Sequence, residues 1–359
     1  MKAIVIDDFR RQGGGQVYGL ALADALENIG YDTYFLTNTD EPGGRRRKIA
    51  FNVNYEFVEN ESKLMDLFKI INLKKQLSKI DLKGFDLSVN NHPNLFIMKS
   101  DLNVLHGFSF LDQWIDEDGN IVKSIPPAVI RLVHLYSQYE GALFLPNSKY
   151  TYLISRKLFK YLDMEVTLGN ILYPPVFYKE FPYAEKKDQV LLFGRINRDK
   201  RVEDAIEIAN EGSFKLIIAG YLNRGDEPYI LKLKKKAEKG IEIIPNVTNK
   251  QKEALMMESS TIMSLNRKEN FGISIAEGMN LGCIPIVPKS GGPWLDILEE
   301  GRYGLGFSKK EEVGELVRRS FLYGSTDRYR IARSVERFSM SSFSSELKKI
   351  VDDVTSKHR

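Results

Sequence analysis

With 359 residues the chain is too long for one small core and suits two α/β domains of ordinary size. Its 52 basic and 48 acidic residues leave a net charge of +4, an excess too small to argue for nucleic acid as a partner. The single cysteine, Cys283, lies in the apolar run CIPIV, which excludes an intrachain disulfide or a thiolate metal cluster and suits a reducing compartment. The N-terminal MKAIVIDDF holds too short an apolar run for a signal peptide, and no run approaches the length of a membrane span. The expectation is a cytosolic protein that is at most peripheral to a membrane.

Lys2 to Ile6 is almost wholly apolar, which predicts a parallel strand buried on both faces, and Asp7 to Gly15 is the loop past its carboxyl end. A helix follows from Gln16, with Val17, Leu20, Ala21 and Ala25 at helical spacing, and Gly30 caps it before a strand at Thr33 to Leu36. This is a βαβ opening without the dinucleotide fingerprint G-x-G-x-x-G. Gly13, Gly14 and Gly15 instead bare their backbone amides to a ligand that approaches closely.

Residues 41–48, EPGGRRRK, predict a turn with four successive cations, and Ser62 to Lys79 predicts a basic amphipathic helix. Leu64, Leu67, Phe68 and Ile71 mark the stripe expected on the core. Lys63, Lys69, Lys74, Lys75 and Lys79 form the charged face, which on a membrane would meet anionic lipid.

Phe85 to Val89 and Asn103 to Leu105 predict the next strands, ending at Asn90-Asn91-His92-Pro93 and at His106-Gly107. Ligands of open parallel sheets lie outside the carboxyl ends of the strands, so His106 and, second to it, His92 are candidate site residues. His134 and His358 have no such position and are expected to be structural. Asp116-Glu117-Asp118 sits in a polar turn ending at Gly119-Asn120 and is expected to be solvated acid, not a metal site.

Ala142 to Leu145 is a further predicted strand, and Asn147-Ser148-Lys149-Tyr150 caps the helix after it. The two prolines of Leu172-Tyr173-Pro174-Pro175-Val176 mark the expected interdomain link. The domain boundaries read as 1–172, 177–330 and a helical segment 331–359. Val190 to Phe193 opens the second domain, and Lys215 to Gly220, Ile241 to Ile244 and Thr261 to Leu265 continue its strands. They alternate with helices at Val202 to Ala209, Tyr229 to Lys239 and Lys250 to Ser259, as in a doubly wound sheet. Beyond Gly306 the chain reads as helical and polar, with helices at Tyr329 to Phe338 and Ser342 to Val354 around a break at Ser339 to Ser341.

Two stretches of the second domain carry chemistry. Arg195 and Lys200 follow the first strand of that domain and place two cations where a diphosphate would need its charge neutralised. Residues 266–296, NRKENFGISIAEGMNLGCIPIVPKSGGPWLD, predict a loop at Asn270-Phe271-Gly272, a helix closed by Gly282, and a strand at Cys283 to Val287. Glu269 and Glu277 bracket the helix start about 12 Å apart along the axis, too far to share a proton or a metal. The amides of Gly272, Ile273 and Ser274 between them are a ready phosphate site. Sugar hydroxyl, phosphate and ribose hydroxyl in that order describe a nucleotide sugar.

Glu-x7-Glu enclosing Phe-Gly, followed by Ser290-Gly291-Gly292-Pro293, resembles the donor site of retaining glycosyltransferases of the GT-B fold, in the large family 4 group. Glu269-Asn270-Phe271-Gly272 and Glu277-Gly278 match that pattern without a gap. Gly14-Gly15, Leu22-Ala23-x-x-Leu26 and Gly30 resemble the family's N-terminal pattern, and the strand-Asn147-Ser148-helix step is similar too. The resemblance implies two Rossmann-like doubly wound domains facing across a cleft, with the C-terminal helix crossing back to the first.

It also implies roles. Glu269 would bind hydroxyls of the transferred sugar and Glu277 the ribose, with Asn270, Phe271, Gly272 and Ile273 between them. Arg195 and Lys200 would bind the diphosphate, Gly14 and Gly15 would meet the donor, and His106 would stand beside the sugar. The implied reaction is transfer of a hexose, with retention, from a GDP- or UDP-linked sugar to a glycan or lipid-linked acceptor. The acceptor proton passes to the leaving phosphate, and no metal or other cofactor is required. Ser290-Gly291-Gly292-Pro293-x-x-Asp296 is similar to the loop of mannosyltransferases that build lipid-linked oligosaccharides, which points to GDP-mannose. A nucleotide-sugar epimerase of the same architecture and a catalytically silent sugar-nucleotide-binding protein are the alternatives.

Overall fold

The computed structural model describes residues 1–9, 13–37, 44, 46–50, 63–108, 111, 114–127, 130, 142–181, 185–222 and 225–357, without the side chains of 63–67 and 357. The expectations for the side chains of Leu64 and Leu67, for His134 and His358, and for most of the turn at 41–45 lie outside those residues. The chain divides into two compact units, residues 1–175 with 340–359, and residues 176–339.

The first unit is built on a seven-stranded sheet. Its strands in chain order are β1 (Lys2–Ile6), β2 (Asp32–Leu36), β3 (Arg47–Ile49), β4 (Leu87–Asn90), β5 (Leu102–Leu105), β6 (Leu143–Pro146) and β7 (Thr167–Leu168). They lie in the order β3-β2-β1-β4-β5-β6-β7, and every recorded pair is parallel. Because side chains alternate across a strand, Ala3 and Val5 enter one core cluster and Ile4 and Ile6 another, so β1 is covered on both faces.

On one face lie the helix Gly14–Asn28, through Tyr18, Leu22 and Leu26, and the C-terminal helix Met340–Lys357, through Phe343, Leu347, Ile350 and Val351. Their spacing of three and four residues makes a single apolar stripe, and full burial of a side chain such as Leu347 stabilises the unit by about 1.5 to 3 kcal/mol. The other face takes Leu73 and Leu77 of the helix Lys63–Leu77.

The second unit holds six strands, β8 (Lys187–Arg195), β9 (Lys215–Tyr221), β10 (Ile241–Pro245), β11 (Ser259–Met263), β12 (Ile284–Pro288) and β13 (Leu305–Phe307). Their order, β10-β9-β8-β11-β12-β13, repeats the 3-2-1-4-5-6 pattern of the first sheet, again all parallel. Each sheet reverses its winding beside its first strand, between β1 and β4 and between β8 and β11. That reversal opens a crevice at the carboxyl ends of those strands.

Several sequence expectations are corrected. Arg47–Ile49 is an edge strand instead of part of a turn, and Leu305–Phe307 is a strand where the chain was expected to turn helical. Arg46 is no free member of a basic patch: it pairs with Asp24, with Glu27 at 2.6 Å, and lies over the Phe35 ring. Tyr18, not Val17, faces the core, because Val17 is exposed. Phe68 and Ile71 are exposed as well; the stripe that packs is carried one turn further on by Leu73 and Leu77.

Candidate functional site

In the second unit the segment after β11 folds as a loop and then a helix, Ile273–Asn280. Gly272, at φ 93°, makes the left-handed step that admits the chain to the helix, and a side chain there would press on Pro293. The loop is held by the Gly291-Gly292 turn, whose Gly292 amide donates to the Glu269 carbonyl at 2.8 Å. A Cβ on Gly292 would overlap the Asn270 carbonyl, so two glycines are needed for the two backbones to meet. Phe271 is buried edge-to-face against Phe338 at 5.1 Å and anchors the loop through its side chain.

No side chain caps this helix, and the first amides bonded within it are those of Ile275 and Ala276, both donating to the Gly272 carbonyl. The amides of Ile273 and Ser274 therefore point forward at the positive end of the helix dipole.

The two carboxylates each have a lysine. Lys200 forms an ion pair with Glu269, and the two side chains are only about one-fifth exposed. Burial alone would raise the Glu269 carboxyl. The charge and hydrogen bond of Lys200, the charge of Arg195 and a hydrogen bond from Asn266 at 3.4 Å outweigh it and hold the group below its usual range. Arg195, at the end of β8, is exposed and has no ion-pair partner among the described residues. Lys200 closes a short 3-10 turn, Arg198–Lys200, whose start is capped by the Asn197 side chain.

Glu277 pairs with Lys252 at 2.7 Å, and Lys252 lies over the Phe193 ring at 5.9 Å. Lys252 was not legible as a site residue. It sits on the helix Asn249–Glu258, whose start is fixed by a Thr248/Gln251 capping box, and nothing in its surroundings in sequence marks it.

The crevice of the first sheet holds a different constellation. Asp7, directly after β1, is fully buried; His92 Nε2 lies 2.9 Å from its Oδ1, and Asn91 Nδ2 donates to its Oδ2 at 3.1 Å and to the Gly15 carbonyl at 2.9 Å. With both amide hydrogens spent on acceptors, Asn91 Oδ1 must accept from His106 Nε2, 2.8 Å away. His106 Nδ1 then accepts from Asn147 Nδ2 at 3.2 Å, and Asn147 Oδ1 accepts from the Thr151 hydroxyl at 2.8 Å.

The chain of donors fixes one tautomer of a neutral His106. Burial first, and the neighbouring His92 second, push its pKa down to about 3. The Tyr18 ring stands edge-on to it at 4.9 Å. Both nitrogens of His106 are thus occupied within the first unit, and its side chain orders the crevice instead of offering a free donor. Gly15 backs the His92 ring, where an added Cβ would lie 3.0 Å from Cε1, and Gly14 opens the first helix. Asp7, Asn91 and Asn147 were missed as site residues. The available signal for Asp7 was a carboxylate directly after a wholly apolar strand, with Gly19 in the helix that faces it.

Among the described residues no helix is long and apolar enough to cross a membrane, and no group of three metal-binding side chains is found. Residues 177–324 match the family model of glycosyl transferases group 1. A curated relative is the GDP-Man:Man(3)GlcNAc(2)-PP-Dol alpha-1,2-mannosyltransferase of Dictyostelium discoideum, 30% identical over 117 residues, which are 32% of this chain and 23% of that protein. The chain therefore matches less than a quarter of the length of that relative.

Among solved structures, Anabaena Alr3699/HepE in complex with UDP and glucose superposes with a TM-score of 0.70 at 15% identity, covering 98% of this chain and 99% of that one. Sucrose-phosphate synthase from Thermosynechococcus elongatus gives 0.74 at 12% identity, covering 99% and 100%. The chain thus shares the two-domain GT-B fold of these structures across its length, and most of its second unit matches the group 1 glycosyl transferases.

Proposed function

We propose that the protein is a retaining glycosyltransferase that moves a hexose from a nucleotide diphosphate sugar to a glycan or lipid-linked acceptor. The observation that carries this reading is the pair of lysine-held carboxylates, Glu269 and Glu277, on either side of an uncapped helix N-terminus at the crevice of the second sheet. An anionic diphosphate at Ile273 and Ser274 would draw Lys200 away from Glu269 and free that carboxylate for sugar hydroxyls. Arg195, Lys200 and the helix amides would then face the charge that grows as the diphosphate departs, which is where binding energy speeds the reaction. Glu277 would take the ribose. Asn270 and Phe271 would hold the loop, and Gly14, Gly15 and His106 would shape the crevice of the first unit for the donor sugar or the acceptor.

The Dictyostelium relative, named for GDP-mannose and a lipid-linked acceptor, and the loop Ser290-Gly291-Gly292-Pro293 support mannose; the HepE complex, with UDP and glucose, supports a UDP-linked hexose. The proposed chemistry runs without a metal, so chelator should leave the rate unchanged. The protein would act in the cytoplasm, and contact with an anionic membrane face is supported by exposed Phe68 and Ile71 among Lys69, Lys74 and Lys75.

Labelled GDP-mannose and UDP-glucose, incubated with alkyl mannosides and glucosides as acceptors and analysed for product and anomeric configuration, test the reading. A retained glycoside supports it. Epimerised donor, or no product from any pair, would replace it with the epimerase or the silent binding protein.

A further inference from the structure

Both carboxylates of the second crevice are occupied before any ligand arrives. Lys200 holds Glu269 and Lys252 holds Glu277 at 2.7 Å, with about one-fifth of each of the four side chains exposed. The second pair joins two helices, Asn249–Glu258 and Ile273–Asn280, so packing and not sequence neighbourhood brings the partners together. The backbone of Lys252 is fixed in the first turn of its helix, where its amide donates to the Thr248 carbonyl at 2.9 Å beside the capping box. Its ammonium has a second neighbour, the ring of Phe193 at 5.9 Å, and Phe193 is a buried residue of β8 two positions before Arg195.

Glu277 follows Ile273 by four residues, so the two share one face of the helix about 6 Å apart along its axis. Helical side chains lean toward the N-terminus of their helix. That direction carries the Glu277 carboxylate, and with it the Lys252 ammonium, back toward the turn whose Ile273 and Ser274 amides make no bond within the helix. Lys252 therefore borders the place proposed for the diphosphate. A ligand that brings only hydroxyls to Glu277 must break the pair and strand the ammonium. A ligand that brings only phosphate strands the carboxylate in the same way.

We propose that Lys252 makes recognition of the ribose and of the diphosphate interdependent. It leaves Glu277 for diphosphate oxygens, still over the Phe193 ring, as ribose hydroxyls take its place on the carboxylate. The inference rests on the nucleotide-sugar reading of this site and makes Lys252 its specificity-determining residue, one that favours nucleoside diphosphates over nucleosides. Discrimination of this kind comes from the cost imposed on the wrong ligand as much as from contacts with the right one.

The test uses the full chain, whichever of GDP, UDP and ADP binds to it, and the matching nucleoside. In Lys252→Met the diphosphate should bind about 10-fold or more weakly by calorimetry, because a charge-assisted hydrogen bond is lost. The nucleoside should bind about 5-fold more tightly by ligand-observed NMR, because its ribose no longer has an ion pair to break. In a Glu277→Ala background the lysine has no carboxylate to release. There Lys252→Met should leave nucleoside binding unchanged and still weaken the diphosphate.

A nucleoside affinity that fails to rise in Lys252→Met, or that rises equally in the Glu277→Ala background, would overturn the proposal and leave Lys252 as mere support for the helix. An undiminished diphosphate affinity in Lys252→Met would overturn it too. If no nucleotide binds, or if Glu277→Ala alone binds the diphosphate as the wild type does, the nucleotide site fails and the proposal fails with it. Circular dichroism of Lys252→Met, expected to match the wild type, separates a lost contact from lost folding; should that variant not fold, Lys252→Gln carries the same measurements.

Discussion

The two sheets share one strand order and one crevice position, yet they furnish those crevices in opposite ways. At the end of β8 and β11 the side chains are ionic and partly wet: Lys200 with Glu269, Lys252 with Glu277, and an exposed Arg195. Such pairs are exchangeable, because a polyanion can take the lysines and a hydroxyl can take the carboxylates. At the end of β1, β4 and β5 a buried Asp7 is tied by Asn91, His92 and a neutral His106 into a network with its tautomers fixed. Buried polar networks of that kind order a site and are costly to disturb. On the proposed reading the second crevice exchanges partners with a ligand, while the first holds its shape.

Substitutions that probe the contrast differ in size. The largest effect is expected for Gly19→Ala, whose Cβ would overlap Asp7 Oδ2. Since the buried carboxylate has nowhere to go, it should cost at least about 3 kcal/mol in urea denaturation. Gly292→Ala, overlapping the Asn270 carbonyl, should cost about 1 to 3 kcal/mol and should also weaken nucleotide binding, because the loop that carries Glu269 must shift. If Gly19→Ala proved the milder of the two, the first crevice would not be the rigid one.

Lys200→Met comes next. It removes the main charge that opposes burial at Glu269, so the Glu269 pKa should rise, and carbon-detected NMR of the labelled carboxyl should show it. An unmoved value would mean that Lys200 is not its partner in solution.

The smallest effect is expected for His92→Gln on the melting temperature, and the two histidines act on stability against pH with opposite sign. His92 has a raised folded pKa, so its contribution is fully present below the unfolded value near 6.5 and is lost as pH rises through the folded value. His106 is depressed to about 3, so the folded state refuses a proton that the unfolded state accepts, and stability falls as pH drops from 6.5 toward 3. Melting temperatures of the wild type and His92→Gln should therefore differ most at acid pH and converge toward alkaline pH.

The same contrast explains what was legible in the sequence. Glu269, Gly272 and Glu277 lie within one loop and one helix, so their spacing alone sets their arrangement, and Arg195 and Lys200 follow from strand-end logic. The apolar runs of β1, β8, β9 and β12 were legible because strands buried on both faces tolerate little else. The network of the first crevice joins residues as distant as Asp7 and Asn91, 84 positions apart, and no local pattern encodes which asparagine meets which histidine. Edge strands such as Arg47–Ile49 escaped for a related reason: three residues, two of them cations, carry no apolar periodicity. Phe68 and Ile71 misled because an apolar residue at helical spacing need not face the core.

Calorimetric titration of the whole chain with GDP, UDP and ADP, alone and with Glu277→Ala, is the most direct test of a nucleotide site in the second crevice. A hydrogen bond from ribose to a charged carboxylate contributes about 1.5 to 3 kcal/mol. One of the three nucleotides should bind to the wild type and lose about 10- to 150-fold in affinity in the variant, with the melting temperature of the free protein unchanged to within about 2 °C. Equal dissociation constants for wild type and Glu277→Ala, or no binding of any of the three, would contradict it.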